Sequence, residues 1–176
     1  RHHHGSVLTI GNFDGVHLGH RAILTQLSQF GEEEGVPTVL VTFEPQPLEF
    51  FARAVAPPRL TRFREKLHAL DTTSVDRVLM LNFDHELSQM LPDAFVMELL
   101  INKLGARLIL AGEDFRFGRD AFGNLALLQE LGRKHGFRVV TRDTFSHAGG
   151  RVSSSWIRDA LANGELDLAA RLLGRP

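Results

Sequence analysis

Short runs of β-branched and apolar residues alternate along this chain with stretches of ten or more residues whose apolar positions recur at helical spacing. Val7 to Ile10 and Val36 to Phe43 read as strands buried on both faces. Between them Ile23, Leu24, Leu27 and Phe30 mark one face of a helix that begins near Leu18 and is stopped by Gly35 and Pro37. The pattern continues with a helix over Thr61 to Leu70, a strand over Arg77 to Leu81, a Pro-opened helix over Pro92 to Leu104 and a strand over Arg107 to Ala111. A helix over Asn124 to His135 and a strand over Phe137 to Thr141 follow, then two short helices, Ser153 to Ala162 and Glu165 to Leu173. Strands separated by helical crossovers predict an α/β fold with an open parallel sheet.

Three stretches resist assignment: Glu44 to Pro58, Gly112 to Gly123 and Thr144 to Arg151. Each follows a predicted strand, and open α/β sheets bind ligands beyond the carboxyl ends of their strands, so these loops stand where a site is expected. A length of 176 residues suits one main domain, expected over residues 7–176. Arg1 to Ser6, with its His run, reads as a purification-tag remnant or disordered leader.

Twenty basic residues oppose 21 acidic ones, so no general affinity for nucleic acid is expected and any anion recognition must be local. No apolar run reaches the roughly 18 residues that span a bilayer, so no membrane partner is expected. The absence of cysteine excludes disulfides, thiolate metal sites and a cysteine nucleophile, and fits a reducing, cytoplasmic setting.

The first loop, Gly11-Asn12-Phe13-Asp14-Gly15-Val16-His17-Leu18-Gly19-His20, is neither a P-loop nor a dinucleotide fingerprint. It leaves H-x-G-H at a helix N-terminus. His17 and His20 share a face of the first turn, Gly19 admits close approach of a ligand, and amides and helix dipole favour phosphate there. Metal binding or simple capping are the alternatives for such a pair, and no third metal ligand is evident nearby. A second signal is Arg151-Val152-Ser153-Ser154-Ser155-Trp156-Ile157-Arg158. One serine suffices as an N-cap; three hydroxyls between two arginines suggest a second anion cradle.

Taken in order, G-N-F-D-G-V-H-x-G-H, E-P-Q-P, L-T-R-x-R-E-K-L, G-E-D-F-R-F-G and R-V-S-S-S-x-I-R resemble the bacterial bifunctional riboflavin kinase/FAD synthetases, over Val7 to Pro176. The resemblance is to their N-terminal FMN adenylyltransferase domain, a Rossmann-like open parallel sheet of the H-x-G-H nucleotidyltransferase superfamily. It implies transfer of AMP from ATP to FMN, with Mg²⁺ accompanying ATP and no protein metal ligand assigned. By it, His17, His20, Ser154 and Arg158 are the catalytic set. Gly11, Asn12, Phe13, Asp14, Gly15, Gly19, Arg151 and Ser155 join them around ATP, while Pro45, Gln46, Pro47, Asp114, Phe115, Phe117, Gly123 and Asn124 contact FMN. Many members have D-P-H-P where this chain has Glu44 and Gln46, and S-S-T where it has Ser155. Members usually continue past L-G-R-P into a riboflavin kinase module, the expected fused partner, which this chain lacks.

Without the resemblance, Phe115 and Phe117 read as core aromatics beside Phe122, and Pro45 and Pro47 as turn residues. The rival functions are an H-x-G-H transferase for another phosphorylated cofactor precursor, and a noncatalytic flavin or nucleotide binder.

Overall fold

The computed structural model describes residues 5–142 and 144–175. Arg1 to His4 of the expected leader lie outside the described residues. Ser6, also assigned to that leader, is instead the first residue of strand β1 (Ser6–Ile10), where its hydroxyl donates to the Leu104 carbonyl.

The central sheet joins β1 to β2 (Thr38–Glu44), β3 (Arg77–Asn82), β4 (Ala106–Ala111) and β7 (Arg138–Thr141), all parallel, in the order β3-β2-β1-β4-β7. That is the open α/β sheet the alternation predicts. Side chains alternate across it. Leu8 pairs in register with Val39 and Ile109 on one face, while Thr9 pairs with Leu40 and Leu110 on the other.

The chain covers one face with helices α1 (Leu18–Glu34) and α3 (Phe63–Asp71): Ile23, Leu24, Leu27, Ala69 and Leu70 pack on Val7, Leu40, Leu108 and Leu110. The other face carries α5 (Pro92–Ala94), which runs on as a π-helix over Phe95–Lys103, and α6 (Leu125–His135). There Phe95, Val96, Leu99, Leu100, Leu128 and Leu131 bury Leu8, Ile10, Val39, Val41 and Ile109. Fully burying one such aliphatic side chain contributes about 1.5–3 kcal/mol.

Elements too short for periodicity complete the fold. Helix α2 (Pro47–Ala52) stands where Pro45 and Pro47 read as turn residues, because proline at the first helical position costs nothing. Helix α4 (His85–Gln89) and the two-residue ribbons β5 (Arg116–Phe117) with β6 (Gly123–Asn124), and β8 (Ser146–His147) with β9 (Gly150–Arg151), fill the loops. Helices α7 (Ser154–Ala162) and α8 (Leu166–Leu173) pair through Ile157, Ala160, Ala169 and Leu172. Among the described residues no helix is long and apolar enough to cross a membrane.

From β1 the chain passes to β2 and β3 on one side, then returns to β4 on the other. The strand order therefore reverses between β1 and β4, and a crevice opens beyond their carboxyl ends.

Candidate active site

The loop after β1 is held in a conformation that its side chains alone disfavour. Phe13 and Val16 have φ of 50° and 41°, a left-handed geometry costing of order 1–3 kcal/mol per non-glycine residue. Asp14 is what fixes it. Its buried carboxylate accepts from the amides of Leu60 and Thr61, from the Thr61 hydroxyl and from the Arg158 guanidinium. Arg158 also donates to Pro58 O at 2.7 Å, and the Ser154 hydroxyl to Asp14 O at 2.9 Å, so α7 is clamped to this loop. Arg175 reaches back from beyond α8 to the carbonyls of Gly15 and Val16.

Behind the loop lies Lys66, 2% exposed. It donates to Thr42 Oγ1 at 2.8 Å, and that hydroxyl donates to Asn12 O at 3.2 Å. Burial pulls the Lys66 ammonium down to about 8, against the opposing pull of Asp14 and Glu44.

His17 is the N-cap of α1: its Nδ1 accepts from the His20 amide at 3.2 Å, which leaves its proton on Nε2. The capped amide is therefore not open to a phosphate. The two imidazoles stack, with centroids 3.6 Å apart and planes at 14°, and Phe13 stacks on His20 at 4.4 Å. A Cβ on Gly19 would come within 3.1 Å of the His17 ring and 3.2 Å of Val152 O, so this glycine lets the two motif loops close on each other.

His20 Nδ1 is the one buried side-chain nitrogen or oxygen among the described residues with no hydrogen-bond partner. Buried polar atoms without a partner are few in folded proteins, so this one asks for an explanation.

Burial first, then the positive charge of Arg142, holds His17 down at about 4; burial and the neighbouring His17 hold His20 well below the usual imidazole range. Both rings are therefore neutral N–H donors at pH 7. Below pH 6.5 the unfolded chain takes up protons that the folded His17 refuses, so its effect is to lower stability as pH falls from 6.5 toward about 4. We expect the melting temperature to fall across that window, and His17→Gln to flatten the slope; an equal slope in the variant would contradict the assignment.

A cavity of about 250 Å³ opens against these rings, lined by His17, Gly19, His20, Gly112, Glu113, Asp114, Arg142, Arg151 and Ser154 among others. Arg151 lies 3.7 Å from Asp114. Of the residues the sequence assigns to ATP, the structure gathers His17, Gly19, His20, Arg151 and Ser154 here. Gly11, Asn12, Phe13, Asp14, Gly15 and Arg158 form the scaffold beneath, and Ser155 is exposed on the first turn of α7.

A second cavity, of about 460 Å³, is aromatic and apolar: Ile10, Phe43, Pro47, Leu48, Phe51, Phe83, Leu87, Phe95, Phe115 and Phe117 line it. Phe115 and Phe117 stack at 5.3 Å, and Phe83 meets Phe43 edge-on at 5.7 Å. Of the residues assigned to FMN, Pro47, Phe115 and Phe117 line this cavity. Pro45 and Gln46 instead lead into α2, where Glu49 accepts from the Gln46 amide and Arg59 bridges Glu44 and Glu49. Gly123 pairs with Phe117, Asn124 caps α6 by accepting from the Leu127 amide, and Asp114 faces the polar cavity.

The sequence reading missed Arg142 and the aromatic wall of Phe43, Phe51, Phe83 and Phe95. A signal existed for three of them: Phe43 ends a predicted strand, Phe83 lies just past another, and Arg142 is the first residue beyond a third. The two cavities share one segment. Gly112, Glu113 and Asp114 line the polar one, and Phe115 to Gly118 the aromatic one.

The family model for FAD synthetase matches residues 1–156. The chain is 46% identical over 172 residues to the bifunctional riboflavin kinase/FMN adenylyltransferase of Escherichia coli strain K12, covering 98% of this chain and 55% of that protein. It is 47% identical to the protein of the same description from Pseudomonas fluorescens, covering 99% of this chain and 56% of the relative. The chain thus spans little more than half the length of these curated relatives. In fold it is similar to a crystal structure described as a macrolide-efflux protein from Streptococcus pneumoniae, with a TM-score of 0.81 at 25% identity over 98% of this chain and 56% of that one.

Proposed function

The chain belongs to the FAD synthetase family, and from that premise we propose that it transfers the adenylyl group of ATP to FMN, giving FAD and pyrophosphate. The observation that carries this reading is the run Gly112 to Gly118, whose first half lines a cationic, imidazole-bearing cavity and whose second half lines an aromatic one. A nucleotide triphosphate suits the first and a flat tricyclic flavin the second. A single segment then holds both substrates side by side.

In this mechanism an FMN phosphate oxygen forms a bond to the α-phosphorus of ATP as the bond to the bridging oxygen of the β-phosphate breaks. A phosphate dianion is already nucleophilic, so no general base and no covalent enzyme intermediate are needed. The protein positions the two phosphates and stabilises the charge that spreads over the leaving pyrophosphate. His17 and His20 do so as neutral N–H donors, preoriented by their stack, and Arg151 supplies positive charge. Ser154 ties the second motif to the first loop and sets the cavity wall. Arg158 and Asp14 act from beneath, by holding the loop.

Glu113 and Asp114 at the cavity would offer oxygen donors to a Mg²⁺ ion accompanying ATP, which would neutralise phosphate charge. By likeness to relatives that also carry riboflavin kinase in their descriptions, FMN reaches this site from phosphorylation of riboflavin by a kinase module fused in the longer protein. Incubation of this chain with ATP, FMN and Mg²⁺ tests the reading: FAD and pyrophosphate are expected to form in equal amounts. Binding of both substrates without turnover would overturn it.

A further inference from the structure

We propose that Arg142, which lies outside every motif quoted above, binds phosphate oxygens of the nucleotide in the polar cavity; this rests on the reading that the cavity takes ATP. Arg142 follows β7 directly, and its amide donates to Ala111 O at 2.9 Å, so its backbone is an extension of the sheet rather than loop. From there the side chain crosses the bare α-carbon of Gly112. A Cβ on Gly112 would come 2.6 Å from Arg142 Nε and 2.9 Å from Nη2, so this position must be glycine for the guanidinium to lie where it does. The side chain is about three-quarters buried, with 26% exposed, and lines the cavity with His17 and His20.

Its carboxylate neighbour does not explain that placement. Asp114 lies 3.9 Å away, beyond hydrogen-bond reach, is 71% exposed and also faces Arg151. Burying a guanidinium costs free energy unless an anion meets it with hydrogen bonds. The planar fork of arginine matches two phosphate oxygens at once, as a lysine ammonium does not. Arg142 is also felt by both imidazoles, whose protonation it opposes, which places its charge over the same space. Asp114 then holds the place of the anion between Arg142 and Arg151 and yields it to the nucleotide.

The test compares wild type with Arg142→Ala, Arg142→Gln and Arg142→Lys, reading KM for ATP and for FMN in FAD formation, and equilibrium binding of ATP and of adenosine. For Arg142→Ala, KM and Kd for ATP are expected to rise about tenfold or more, the loss of a charge-assisted hydrogen bond. KM for FMN and Kd for adenosine stay within about twofold, because neither contact is touched. Arg142→Lys recovers part of the ATP affinity. Arg142→Gln, which preserves most of the buried stem, repeats the Ala result should that variant not fold. Unchanged ATP affinity, or equal weakening of adenosine, overturns the proposal. If the wild-type chain makes no FAD, the binding measurements still decide on Arg142, and only the proposed reaction falls.

Discussion

Replacing His20 with Ala lowers FAD formation at saturating ATP about 10²- to 10³-fold, the range seen when one preorganised donor to a developing charge is removed. His20 is the imidazole for which the protein itself offers no second use. Its Nδ1 is buried without a partner, and its ring is clamped between Phe13 and His17. Among the described residues that nitrogen has no partner, and the residue lines the polar cavity. His17 is a less clean target, because it also caps α1 and its loss costs about 1 kcal/mol of helix stability besides any loss of rate. His20→Asn, which keeps an N–H donor near the same place, is expected to fall between wild type and His20→Ala. Steady-state FAD formation with ATP varied at fixed FMN reads both, and a His20→Ala variant at wild-type rate would remove His20 from the mechanism.

The largest expected loss of stability comes from Asp14→Ala, at roughly 3–5 kcal/mol, because it strands a buried partner charge. Asp14 is 3% exposed, and its carboxylate gathers three hydrogen-bonding groups from Leu60 and Thr61 besides that of Arg158, which lies 144 positions away in the chain. Without it the Arg158 side chain, 16% exposed, keeps only Pro58 O, and the left-handed Phe13 and Val16 lose the contact that holds them. At about 2–4 °C per kcal/mol for a domain of this size, the melting temperature should fall by about 6–20 °C. Asp14→Asn, which keeps one acceptor oxygen but not the charge, should lose less. A thermal melt of Asp14→Ala within about 2 °C of wild type would show that Asp14 faces the nucleotide and not the scaffold.

That second prediction marks where the sequence ran out. The open parallel sheet and the loops beyond its strands were legible because apolar runs such as Val7 to Ile10 and Val36 to Phe43 alternate with helical stretches, whereas the order of the strands was not. His17 and His20 were legible because a spacing of three on a helix start forces them together. Asp14, Ser155 and Arg158 were flagged as parts of motifs, yet spacing cannot say that Asp14 and Arg158 meet each other, or that Ser155 points outward. The aromatic cavity was only half visible, since Phe115 and Phe117 follow the strand after the crossover while Phe43 and Phe83 come from two strands earlier. Arg142 offered only its place directly after a predicted strand. A single arginine after a strand becomes meaningful only when Gly112 is seen beneath it.

The most direct test is a crystal structure of this chain with Mg²⁺ and a nonhydrolysable ATP analogue. The account predicts phosphate oxygens within hydrogen-bond distance of His17 Nε2 and of the His20 ring, with the flavin-sized aromatic cavity free beside the α-phosphate. A triphosphate bound elsewhere, with both imidazoles untouched, would contradict it.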